Sequence, residues 1–196
     1  MTEQLAVPVA LQRGRPVGWW AVLLLVTTEG ALFAAMIASY FYLRFRAEQW
    51  PPPGTPQPKV LVPTGVTAML VLSSLPLAWA VWGAKRHVWW RAAAGLGVAA
   101  VLGVLFVIAE LHLIVSAWHK SGAQRDAYDS ITYTLQGAHL AHVVAAVLIN
   151  LFLLAKISRR RLTQYRVNGI WAMSLYWHFV NALAILVLLT AVSPAL

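Results

Sequence analysis

The sequence predicts an all-α integral membrane bundle of five transmembrane helices, with the N-terminus inside and the C-terminus outside. Three observations carry that expectation. Of the 196 residues 60% are hydrophobic and 11% charged, at a mean hydropathy of +0.69, whereas a soluble domain carries about 25% charged residues. Five runs, 16–43, 60–84, 92–119, 130–155 and 167–196, hold no charged residue except Glu29 and Glu110, and each exceeds the roughly 20 residues that cross a bilayer. The basic residues divide between alternate connections, ten on the side that includes Arg13, Arg15 and Lys156 and five on the side that includes Arg44 and Lys59. Lysine and arginine resist translocation, so the richer side is inside. A net charge of +9 in such a chain reports topology and excludes a nucleic-acid module.

The spans are expected at about 18–43, 62–83, 92–118, 131–155 and 170–192, in a single membrane domain over 1–196. The residues before Trp19 include two arginines but no apolar core ending in a small-residue cleavage site, so the first span reads as uncleaved. Trp19, Trp20, Trp50, Trp79, Trp82, Trp89, Trp90, Trp118 and Trp171 fall near span ends, where an amphipathic indole prefers the interface. Between the first two spans, Trp50-Pro51-Pro52-Pro53-Gly54 with Pro56, Pro58 and Pro63 cannot continue a helix and is expected to lie extended on the surface. Gly95, Ala99 and Gly103 recur every four residues in the third span, as do Gly137, Ala141 and Ala145 in the fourth. Such faces let backbones approach in lipid, so these spans are expected to pack on each other or on a partner. The inside loop at 158–166, with Arg159, Arg160 and Arg161, suits anionic lipid or a docking subunit.

Ionisable groups at membrane depth are expensive and mark function or specific packing. Here they are Glu29, Glu110, His112, His139, His142 and His178, with Asn181 as a polar neighbour. His139 and His142 are three apart and share a helical face, so they cannot clamp one haem from opposite sides. They could join a zinc or di-iron site, but no ligand motif repeats on other spans. The chain has no cysteine, which removes disulfides and thiolate sites. Depth suggests partners. At 1.5 Å per residue Glu29 and His142 both lie roughly 16 Å inside the membrane, near its midplane, and Glu110 and His139 both lie roughly 12 Å from the outer end. Glu29 is therefore expected to pair with His142 and Glu110 with His139, His178 being the competitor for Glu29. Either pairing satisfies groups that lipid would leave stranded. A buried carboxyl of this kind serves a proton pathway or a hydrogen bond between helices. A small transporter coupled through Glu29 and Glu110 would instead favour two related halves, and no internal repeat is found.

Four stretches carry a resemblance to a known family: Thr28-Glu29 with Phe33, Tyr40 and Arg44; the Trp50-Pro51-Pro52 loop with Gly54; 128–143, reading YDSITYTLQGAHLAHV; and Tyr176-Trp177-His178-Phe179-Val180-Asn181. In order and spacing the chain resembles subunit III of the heme-copper respiratory oxidases, in the short bacterial form with five spans. Asn181 stands where many members carry aspartate, and Leu111 follows Glu110 where an aromatic residue is common. The resemblance implies an accessory subunit of a proton-pumping terminal oxidase, a cytochrome c oxidase, in a bacterial inner membrane. It implies packing against the haem-bearing catalytic subunit I and other oxidase subunits, with haem and copper held by those partners and no cofactor or metal bound by this chain. It also implies phospholipid binding and support of proton uptake. On this reading Glu29, Glu110, His139, His142, His178 and Asn181 are proton-handling or structural polar groups, Trp19, Trp20, Arg159, Arg160 and Arg161 meet lipid, and no residue is catalytic. Subunit III of a quinol oxidase and the related accessory protein of nitric oxide reductase clusters share the pattern.

Overall fold

The computed structural model describes residues 17–55, 59–120, 126–158 and 164–195. Its elements are α1 (Val17–Arg46), α2 (Leu61–Leu72), α3 (Ser74–Lys85), α4 (Trp89–Lys120), α5 (Ala127–Ser158) and α6 (Gln164–Val192), closed by a short 3₁₀ turn at Ser193–Ala195. Among the described residues there is no strand. Five segments are long and apolar enough to cross a membrane: Gly18–Arg46, Leu61–Lys85, Trp89–His119, Ala127–Ser158 and Val167–Ala195. The chain is a multi-pass membrane protein.

The second span is broken into α2 and α3 at Ser73. Pro76 has no N–H for the carbonyl of Leu72 and its ring crowds the preceding turn, which is why the ladder parts there. A compact corner then joins α3 to α4. His87 takes a left-handed conformation (φ 56°), Val88 N–H donates to Gly83 O at 2.8 Å and His87 N–H to Ala84 O at 3.1 Å. This is the paired-bond helix ending that usually employs glycine.

Spans α2/α3, α4, α5 and α6 close a four-membered ring, and α1 lies outside it, against the groove between α5 and α6. Helix α6 touches α1, α2, α3 and α5 and is the hub. The main core joins Leu77, Leu96, Phe106, Val143, Trp177 and Val180 of the ring, and a smaller one joins Phe33 of α1 to Leu135, Leu183 and Val187. Lipid gives helices no hydrophobic reason to associate, so close packing and buried polar bonds must hold them.

The third and fourth spans pack on each other as expected, with the small-residue face of α4 inside the bundle and that of α5 turned away from it. A side chain at Gly95 would strike Pro76 O and Ala80 of α3, and one at Gly103 would meet Val147 Cγ2 of α5 at 2.7 Å and Trp177 Cη2 of α6 at 2.9 Å. Gly137 and Ala141 face outward instead, with nothing within 4 Å of a side chain added at Gly137. Spans α4 and α5 therefore meet through Gly103 and Val147 rather than through two matched stripes. The proline loop also departs from a free surface strand. Pro51 is buried, Trp50 Nε1 donates to Tyr40 Oη at 3.0 Å, and the Trp50 ring stands edge-on to both Tyr40 and Tyr128. Pro56 and Pro58 lie outside the described residues.

Candidate functional site

Glu29 projects from α1 and His142 from α5, and Glu29 Oε2 lies 2.9 Å from His142 Nε2. The pairing expected from depth is present. The other ring nitrogen fixes the proton count. His142 Nδ1 is 2.7 Å from Ala138 O, and a carbonyl only accepts, so Nδ1 carries the hydrogen. Nε2 then either accepts from a neutral carboxylic acid or, as part of an imidazolium, donates to a carboxylate. In both cases one proton lies between Glu29 and His142, and the two states differ only in which side holds it. The edge of Phe33 closes on the His142 ring, centroids 5.2 Å apart. Within this chain alone His142 and Glu29 retain 18% and 25% exposure, so α1, α5 and Phe33 supply most but not all of their enclosure.

His139 does not pair with Glu110, against expectation. It is 2% exposed, and its Nε2–H donates to Val180 O of α6 at 3.2 Å, while the edge of Phe106 stacks at 5.7 Å. Three residues turn a helix by about 300°, so His139 points between α4 and α6 while His142 points at α1. Depth matched Glu110 to His139, but azimuth gave the imidazole a backbone carbonyl. Glu110 instead borders a small cavity of about 20 Å³ together with Thr67, Gln136 and His139, about the space of one water. His178 is exposed on the outer face of α6, which removes it as a partner for Glu29. Arg159, Arg160 and Arg161 lie outside the described residues, and Trp19 and Trp20 stand edge to face at the start of α1.

Asn181 belongs to a second polar cluster that reading the sequence missed in part. Its Nδ2 donates to Leu70 O at 3.1 Å and Ser74 Oγ at 2.7 Å. One turn earlier Trp177 Nε1 donates to Ser73 Oγ at 2.8 Å, and Ser73 Oγ donates to Leu70 O. All of these fasten α6 to the break in the second span. The available signal was Ser73-Ser74 just before Pro76, because a proline inside lipid leaves backbone groups that need polar neighbours. Two further ties were also missed. Asn150 Nδ2 donates to Leu96 O at 3.2 Å, joining α5 to α4. At the opposite end Arg44 Nη1 donates to Ser193 Oγ at 2.7 Å, joining α1 to the turn after α6.

Among the described residues no three histidine, aspartate or glutamate side chains gather where they could hold a metal ion. The site offers proton exchange across one hydrogen bond and polar fastening between helices.

Comparison with known proteins shows the family of the chain. Residues 8–192 match the family described as Cytochrome c oxidase subunit III. The chain is similar to a protein named cytochrome bo(3) ubiquinol oxidase subunit 3 from Pseudomonas aeruginosa, 34% identical over 84% of this chain and 77% of the relative. It is also similar to proteins named cytochrome c oxidase subunit 3 from Synechocystis sp., 30% identical over 83% of this chain and 69% of the relative, and from Bacillus subtilis, 30% identical over 84% and 78%. An all-helical chain of five apolar spans, matched along nearly its whole length, therefore belongs to the cytochrome c oxidase subunit III family, the accessory third subunit of heme-copper oxidases.

Proposed function

We propose that the chain lies in a bacterial inner membrane with its N-terminus inside and its C-terminus outside, against the haem-bearing subunit I, and that the Glu29–His142 pair is where it handles protons for the complex. The observation that carries this reading is the 2.9 Å approach of Glu29 Oε2 to His142 Nε2, with Nδ1 committed to Ala138 O. A group that can pass one proton between two sites without changing its hydrogen bonds suits the supply or storage of protons near a pumping subunit. The bias of basic residues supports the orientation. Haem and copper belong to the partner subunits, which do the oxygen chemistry. Phospholipid is assigned to the inner end, where Trp20 is 54% exposed and the Arg159–Arg161 connection carries positive charge.

Glu29→Gln in the complete oxidase tests this. Gln keeps a donor for His142 Nε2 and removes the mobile proton. The variant should assemble with native haem spectra while proton-to-electron stoichiometry falls or inactivation during turnover quickens. Unchanged pumping, turnover and lifetime would reduce Glu29 to a packing residue, and loss of haem from subunit I would oppose the reading. The relative from Pseudomonas aeruginosa favours a second version, a subunit of a quinol oxidase. Purification of the native complex through this chain, followed by assay with quinol and with cytochrome c, separates the two.

A further inference from the structure

A second and larger cavity, of about 400 Å³, opens at the end of the bundle that carries the α1–α2 and α4–α5 connections. Lys59, His112 and Tyr133 stand around it, and Ser116, Thr132 and Gln136 add polar groups to a wall that is otherwise largely apolar. Glu110 borders it as well. Glu110, Gln136 and Ala191 also line the small cavity that ends at His139 and Thr67. The two spaces therefore adjoin across Glu110 and Gln136, and together they run from the membrane surface to roughly 12 Å within it. Glu110 and Gln136 stand where the two spaces meet. An apolar chain there would leave both without a polar partner.

We propose that this is an aqueous passage from the bundle end bearing those two connections to Glu110, which exchanges protons with that face independently of the Glu29–His142 pair. The ligand is water together with the proton it carries. The passage uses neither Glu29 nor His142 and borders α2, α4, α5 and α6 rather than α1. Two carboxyls at membrane depth then have separate surroundings. Glu29 is tied to an imidazole, and Glu110 borders a space whose wall mixes polar and apolar side chains.

The absence of cysteine from the chain gives a direct test. Single cysteines at Ser116, Thr132 and Gln136, and at lipid-facing Leu111 as the control, are placed in the full chain within the assembled complex. Variants that keep native haem spectra are treated from each side in turn with a charged, membrane-impermeant thiol reagent, and the mass shift is read on this chain, whose parent has no thiol background. Such reagents attack thiolate, which forms in water and not in lipid. Ser116→Cys, Thr132→Cys and Gln136→Cys should label, with Gln136→Cys at least about tenfold faster than Leu111→Cys. Ser116→Cys carries the test if Gln136→Cys does not assemble. Rates no faster than the control would overturn the passage. So would labelling that appears only after lipid is stripped by detergent, which would make the cavity a lipid seat. Labelling only from the inner side sustains the passage and overturns the orientation proposed above, so the two failures are distinct.

Discussion

Glu29→Ala should loosen α1 from the bundle by an amount that the geometry of the pair bounds. His142 Nδ1 is committed to Ala138 O, so losing the carboxyl leaves Nε2 without its 2.9 Å partner. Side-chain hydrogen bonds between membrane helices average about 0.6 kcal/mol and reach about 1.7. A stranded polar atom adds about 1–3 kcal/mol when fully buried, which the 18% exposure of His142 discounts. The expected loss is therefore about 1–3 kcal/mol, or roughly 5- to 150-fold in an equilibrium constant. Glu29→Gln should lose less than about 1 kcal/mol, because its amide N–H can donate to Nε2. The assay is an SDS titration of the complex in mixed micelles, following release of this chain, for Glu29→Ala, His142→Ala and the double variant. The coupling between the two positions should be about 0.6–1.7 kcal/mol. A coupling indistinguishable from zero, or Gln as damaging as Ala, would refute the argument that this contact fastens α1.

Gly95→Val should wedge α3 from α4, because its side chain would meet Ala80 Cβ and backbone N, 2.8 and 2.9 Å from the Cβ position; a loss of about 1–3 kcal/mol is expected, while Gly97→Ala, in open space, should leave the SDS midpoint unchanged. Trp177→Phe removes the donor to Ser73 Oγ and should cost about 0.5–1.5 kcal/mol, with Trp177→Phe/Ser73→Ala losing little more than the first change alone in the same titration. His139→Leu should leave the metal content of the whole oxidase, measured by elemental analysis per haem, unaltered. Optical spectra of the isolated chain should lack a stoichiometric haem Soret band.

What could be read from the sequence divides along a physical line. Span number follows from charge-free runs, because a bilayer excludes charge whatever the partners are. The Glu29–His142 contact could be found from depth alone, since helical rise converts residue number to height. The Glu110–His139 pairing failed on rotation about the helix axis, which sequence spacing within one span does not relate to another span. His139 found Val180 O, a backbone atom that no residue type advertises. The cluster of Ser73, Ser74, Trp177 and Asn181 escaped for a similar reason. Its acceptor is Leu70 O, exposed by the break before Pro76, and the meaning of that proline becomes plain only once α6 is seen beside it. Small residues every four positions correctly marked a close approach on α4, but the matching run on α5 turned outward.

Helix α6 is synthesised after the other spans, yet it stands at the centre of the bundle, and half of its most apolar window is buried. Until it enters the bilayer, Ser73 has no Trp177, Leu70 O has no Asn181, and His139 has no Val180 carbonyl. The first four spans thus arrive with the Glu29–His142 and Asn150–Leu96 contacts within reach but without these three, and the ribosome must deliver the fifth before any of the three can close. A nascent chain halted before 164 should therefore remain a substrate for membrane quality control, however well each of its helices spans the bilayer.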